Sequence, residues 1–278
     1  MDDAFAYCEA LVRAADPDRA LATVFAPTAQ RPALYSLYAF NAEVARVREA
    51  VKEPLAGEVR LQWWREVIAG GRDEEAHGHP IASALSATIK QYELPLQLFD
   101  RIIAGRYRDL ADSPMNTLDE LEDYCRETSA TVMELAACVL TPSAEATFSA
   151  SAGVAYAMTG LLRAFPLHGP RRGTYVPREV YEHHRTSPAA AVVGYAGDEL
   201  RAVLETMREQ AAAHYRQALP AIAAAPPAVA AAWLPAALVP LYLRALERGD
   251  PFHTIEVSAF RRTWALWRAV RKGRPADL

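Results

Sequence analysis

Punctuation constrains this chain more than any other feature. Segments of helical character follow one another nearly end to end, and Pro-containing turns stand at most of their junctions. Proline fixes φ, lacks an N–H and biases the residue before it away from the helix, so each Pro turn predicts a boundary. Acids at the start of Asp2–Ala15 suit a helix N-terminus. Asp16-Pro17 interrupts that helix, and a short one reaches Phe25. Pro27-Thr28 restarts the chain into a long helix ending near Lys52, which Pro54 stops. Glu58–Ala69 repeats Val59, Trp63 and Val67 on one face, with Gly70-Gly71 as terminator.

An exposed loop holding His77 and His79 leads into a helix to about Tyr92, and another runs from Pro95 to Leu110. Thr117-Leu118-Asp119-Glu120 reads as a capping box opening a helix through Leu140. After a break at Thr141-Pro142-Ser143 comes an apolar central helix. Beyond Pro177 the pattern predicts a short helix, a turn at Ser187-Pro188, a helix over Asp198–Leu219, a proline-broken helix, and a last helix from about Glu256 to Lys272. Ala is abundant, Gly is sparse (13) and β-branched runs are short, which favours packed helices over sheets. The expectation is a single all-α domain, a helical bundle over 1–278.

Composition then removes several functions. A net charge of −4 gives no basis for nucleic acid as a partner. Cys8, Cys125 and Cys138 lack metal-ligand spacing and read as reduced thiols in a cytoplasm-like compartment. The acidic N-terminus predicts neither a signal peptide nor a transit peptide. Ala221–Leu243 is uncharged and long enough to span a bilayer, but it is mostly Ala and contains four prolines. A broken helix buried in the bundle is the expectation.

Two stretches carry specific information. One is Arg31–Lys52, RPALYSLYAFNAEVARVREAVK; the other is Ala157–Pro177, AMTGLLRAFPLHGPRRGTYVP. LYSLYAF followed by GLLR…RRGTYVP resembles the squalene/phytoene synthase family, whose members are helical bundles of the isoprenoid synthase type that join prenyl diphosphates head to head. The resemblance implies two facing helices, each with two Asp four residues apart, holding Mg²⁺ and through it the diphosphate. Oxygen ligands on a rigid frame suit Mg²⁺, and the metal stabilises the leaving group's charge.

Carried onto this sequence, the first motif falls on Ala45 and Glu49, the second on Ala164 and His168. Spacing of four puts each pair on one helix face. Three carboxylates are missing, and the family's upstream Gln and Asn fall on Ala157 and Gly160. Alanine has no lone pair for a metal, so no metal, no cofactor and no catalytic residue is expected. Mg²⁺ enters only under an alternative reading, an active prenyl transferase whose site draws on Glu43, Glu49 or Glu53. His168 with His183 and His184 is a weaker option for a softer metal.

Within the family, Ala39-Phe40-Asn41, Glu43, Arg60, Gln62 and Trp64, with Arg163-Ala164, Pro166, His168-Gly169 and Arg171-Arg172, resemble the branch serving as mitochondrial complex I assembly factor 6 and its bacterial relatives. The likeness spans about residues 20–270, with a weaker block at Tyr124 and Ser129-Ala130. It implies a non-catalytic protein of complex I assembly whose partner is a complex I subunit or assembly protein, with an isoprenoid or phospholipid as a further ligand. The candidate ligand-binding residues are Asn41, Glu43, Arg60, Gln62, Arg163, Arg171, Arg172 and Tyr175. The Arg among them suggest an anion site; the alternative is that they cap the central helix and pair with acids such as Glu179.

The last helix places Phe260, Trp264 and Trp267 at i, i+4 and i+7 among Arg261, Arg262, Arg268, Arg271, Lys272 and Arg274. Either the aromatic stripe closes the bundle, or the helix rests on a membrane as an interfacial helix. The expected location is cytoplasmic, with peripheral contact to the inner membrane under the second alternative.

Overall fold

The computed structural model describes residues 2–111, 114–141, 146–168, 175–193 and 197–278, apart from the side chains of Asp2 and Asp73. It is all-α, with no strand among the described residues. The helices are α1 (Asp2–Ala15), α2 (Pro17–Thr23), α3 (Arg31–Ala45), α4 (Val47–Ala50), α5 (Pro54–Ile68), α6 (Asp73–Gly78), α7 (Pro80–Tyr92), α8 (Leu96–Leu110), α9 (Leu118–Cys125), α10 (Thr131–Leu140), α11 (Ser149–Arg163), α12 (Phe165–His168), α13 (Arg178–His183), α14 (Pro188–Val192), α15 (Asp198–Ala224), α16 (Ala230–Trp233), α17 (Val239–Arg248) and α18 (Ala259–Lys272).

Side-chain caps and first-turn prolines account for several of the starts. Thr117 Oγ1 accepts from the Glu120 amide at 3.2 Å, as the capping box requires. The reciprocal arm differs: Glu120 Oε2 accepts from the Asn116 amide, one residue further out, at 2.9 Å. Pro17, Pro54, Pro80 and Pro188 stand in the first turn of their helices, where the absent N–H leaves no bond unmade. Pro54 therefore begins α5 rather than merely ending its predecessor. The long helix expected to reach Lys52 breaks at Arg46, whose φ of −94° and ψ of 5° separate α3 from α4. His77 and His79 flank the end of a short helix, α6, and not an open loop. His79 Nδ1 accepts from the Ala82 amide at 3.3 Å and caps α7.

The helices pack in two linked groups. α1 lies against α3 and α7, and α5 against α8. Leu34, Phe40, Leu85, Phe99 and Ile102 fill that core. α11 packs along α15, and Met158, Val203, Met207 and Tyr215 fill a second core there. α11 serves both groups, contributing Ala152 to the first and Val154, Ala155 and Met158 to the second.

Between α9 and α10 the chain winds as a π-turn, Arg126–Ala130. There Thr128 Oγ1 donates to the Tyr124 carbonyl at 2.7 Å and Thr131 Oγ1 to the Arg126 carbonyl at 3.1 Å. The wide turn lies against Gly153 of α11: a Cβ at Gly153 would sit 2.2 Å from Ala130 Cα. Only glycine permits that approach.

The proline-broken segment is buried, as expected. Pro227–Arg248 is long and apolar enough to cross a membrane, yet 72% of its most apolar window lies inside the protein. Trp233, Leu234 and Leu238 are buried there. α15 runs past its expected end to Ala224 with Pro220 inside it.

Candidate functional site

The first motif positions fall on either side of the break at Arg46. Ala45 closes α3 half-buried, and Glu49 is exposed on α4. The second pair is also divided. Ala164 ends α11, and His168 is the last residue of α12, though its amide still donates to the Ala164 carbonyl at 3.1 Å. Two of these four side chains carry no donor atom and one offers nitrogen. Among the described residues no three His, Cys, Asp or Glu side chains are grouped to hold a metal ion. This donor set does not fit Mg²⁺, which needs several oxygens on one frame.

Around these positions lie two polar clusters. In the first, Arg106 and Asp109 of α8 meet Asn41 of α3, Tyr124 of α9 and Tyr175. Arg106 Nη1 donates to Tyr124 Oη at 2.7 Å and to Asp109 Oδ2 at 3.2 Å; Arg106 Nη2 lies 3.5 Å from Asn41 Oδ1. Tyr175 Oη donates to Asp109 Oδ1 at 2.8 Å. Burial, followed by the Asp109 charge, holds the Tyr175 phenol well above its ordinary range, and burial does the same for Tyr124. Both stay neutral donors. Asp109 accepts from both Arg106 and Tyr175, so its oxygens are already engaged. Arg106 Nε is buried without a partner, a place for a water or another acceptor.

The second cluster centres on Asp18. Its side chain is 4% exposed and accepts from Arg163 Nη1 at 3.0 Å, Arg262 Nη1 at 2.8 Å and Tyr242 Oη at 2.8 and 2.7 Å. The Arg163 guanidinium also stacks on Tyr242, 3.7 Å from the ring centroid. Helices α2, α11, α17 and α18 are thus joined through one carboxylate. Beside it, Arg19 pairs with Asp16 at 2.8 Å and lies over Tyr38 and Tyr156 at 5.5 and 5.0 Å.

The structure sorts the sequence candidates. Asn41 and Tyr175 belong to the first cluster, and His168 joins them through its ring, 5.3 Å from that of Tyr175. Arg163, expected as part of an anion site, holds the chain's own Asp18. Glu43, Arg60 and Gln62 lie elsewhere, on a solvent-facing side. Glu43 pairs with Arg60 at 3.2 Å, and Gln62 donates to Glu66 at 3.0 Å. Arg171 and Arg172 lie outside the described residues. Glu179 is engaged by the Leu118 amide at 2.5 Å. His184 sits 2.8 Å from Thr206 Oγ1. Glu53 is exposed. Sequence reading missed Asp18, Arg106, Asp109 and Tyr242. Only Arg106 and Asp109 carried a signal, a basic and an acidic residue three apart on one helix.

Between α11, α12, Tyr175-Val176 and α15 lies a small apolar cavity, lined by Met158, Leu162, Phe165, His168, Tyr175 and Met207. Its volume is about 20 Å³, room for about one water.

Solved structures share this fold. A dehydrosqualene synthase in complex with ligand superposes with a TM-score of 0.79 at 18% identity, over 98% of this chain and 96% of its own. That likeness defines the class, an isoprenoid synthase-type helical bundle. The squalene/phytoene synthase model matches residues 12–268, and the chain belongs to that family. It is 28% identical over 214 residues to the human protein named NADH dehydrogenase (ubiquinone) complex I, assembly factor 6, covering 76% of this chain but only 64% of that one. It is 26% identical over 267 residues to phytoene synthase of Arthrospira platensis, covering 88% and 84%.

Proposed function

We propose that this chain is a synthase-type bundle without diphosphate chemistry, acting as a binding protein in the assembly of respiratory complex I. One observation carries the reading. The motif positions hold Ala45, Glu49, Ala164 and His168, while beside the second motif Arg163, Arg262 and Tyr242 each donate to Asp18. Ionising an allylic diphosphate needs charge stabilisation at the departing oxygens. Among the described residues no group of metal donors stands at these positions, and Arg163 and Arg262 are bonded to Asp18. The likeness to a complex I assembly factor supports the biological half, with a complex I subunit or another assembly protein as partner.

The alternative, an active prenyl transferase with a displaced metal site, would need carboxylates such as Glu43, Glu49 or Glu53 to converge. Glu43 is tied to Arg60, and Glu49 and Glu53 face solvent. The experiment has two arms. Purified protein is incubated with farnesyl or geranylgeranyl diphosphate and Mg²⁺; no squalene- or phytoene-type product is expected, and turnover would reject the reading. Deletion of the gene is expected to lower assembled complex I. Unchanged assembly would remove the biological half alone.

A further inference from the structure

The C-terminal helix α18 is anchored along a narrow seam. Arg262 reaches Asp18 at 2.8 Å, and Leu266 and Ala269 are buried. The aromatic stripe faces away from the bundle: Phe260 is 78% exposed, Trp264 53%, Trp267 40% and Val270 37%. The expectation that this stripe closes the bundle is therefore corrected. The core beneath is already filled by the 230–238 segment, against which α18 packs.

Phe260, Trp264, Trp267 and Arg271 stand at i, i+4, i+7 and i+11, one stripe along the helix. The two indoles stack at 4.9 Å, and Arg271 lies over Trp267 at 4.9 Å. Arg261, Arg268, Lys272 and Arg274 flank the stripe and are exposed. Together with Arg271 they form no ion pair among the described residues. No Asp or Glu occurs from Val257 to Ala276. A chain with net charge −4 thus concentrates unpaired positive charge around solvated indoles on one helix.

We infer that α18 is a docking surface for anionic phospholipid bilayers. The helix lies flat, with Phe260, Trp264 and Trp267 entering the headgroup boundary and the cations meeting lipid phosphates. Indole is suited to that boundary because its ring is apolar and its N–H stays wet. The charges attract the anionic surface from within a Debye length. Charge complementarity alone would also suit an acidic protein, but the three solvated aromatics favour a partner with an apolar interior.

The test uses the full chain with vesicles of phosphatidylcholine alone and of equal parts phosphatidylcholine and phosphatidylglycerol, read by co-flotation and tryptophan emission. Binding with a blue shift is expected on the anionic vesicles only, weakening as salt is added. W264A/W267A should lose the blue shift and bind roughly tenfold or more weakly. R268Q/R271Q should bind roughly thirtyfold more weakly, at about fivefold per cation near such a surface. All four side chains are solvent-facing, so both variants should keep the wild-type melting temperature. Absence of binding to anionic vesicles would overturn the inference and leave an acidic protein as the better occupant. Equal binding to both vesicle types, or variants that bind as wild type does, would overturn it as well.

Discussion

Replacing Asp18 by alanine is expected to loosen the junction of α2, α11, α17 and α18. The carboxylate is 4% exposed and accepts from Arg163, Arg262 and Tyr242 at 2.7 to 3.0 Å. Removing one member of a fully buried ion pair costs about 3–5 kcal/mol, chiefly because the remaining charge is left buried and unpaired. The two guanidiniums are not fully buried, at 31% and 18% exposure, so water recovers part of the loss. A destabilisation of about 2–4 kcal/mol follows, or a fall in melting temperature of roughly 4–16 °C at about 2–4 °C per kcal/mol. Asp18→Asn keeps an acceptor and the shape but not the charge, and should fall between alanine and wild type. The vacated position is flanked by two cations and a phenol, so inorganic phosphate should stabilise D18A more than wild type by mass action. The assay is thermal unfolding followed by circular dichroism, with and without phosphate at constant ionic strength. D18A within about 0.5 kcal/mol of wild type, the range of an ordinary surface change, would refute the reasoning. Equal stabilisation of both proteins by phosphate would refute the anion niche.

Gly153→Ala should be among the most damaging single-methyl additions, by about 3 kcal/mol or more in denaturant unfolding, because the new carbon would meet the Ala130 backbone at 2.2 Å. Stability should also fall as pH drops below 6.5. Burial holds the His79 imidazole below its ordinary 6.5, so the unfolded chain takes up the proton first and folding weakens in acid. His79→Asn keeps a cap acceptor and should flatten that slope in melting curves. Burial pushes the Cys8 thiol up to about 12 and raises Cys125 further. In native protein a thiol reagent should label the half-buried Cys138 first, and all three only after unfolding.

Much of the fold follows from local chemistry that any segment carries with it. The Thr117 cap, the prolines at helix starts and the apolar periodicity of α8 and α11 act within a few residues. Those boundaries were readable in the chain itself, as was the absence of a carboxylate at Ala45, Ala164 and His168. Breaks that depend on neighbours were not readable. Arg46 divides α3 from α4, and the π-turn at Arg126–Ala130 has no signature beyond Thr128 and Thr131, whose hydroxyls bond backbone carbonyls there.

Longer-range placement belonged to tertiary structure alone. Asp18 lies 145 residues from Arg163 and 244 from Arg262, and no local pattern links them. Their meeting engages Arg163, one residue of the expected anion site, with the chain's own carboxylate. The outward aromatic stripe of α18 was equally undecided in the sequence. An amphipathic helix has an apolar face in either orientation, and only the already filled core beneath it determines that Phe260, Trp264 and Trp267 meet solvent.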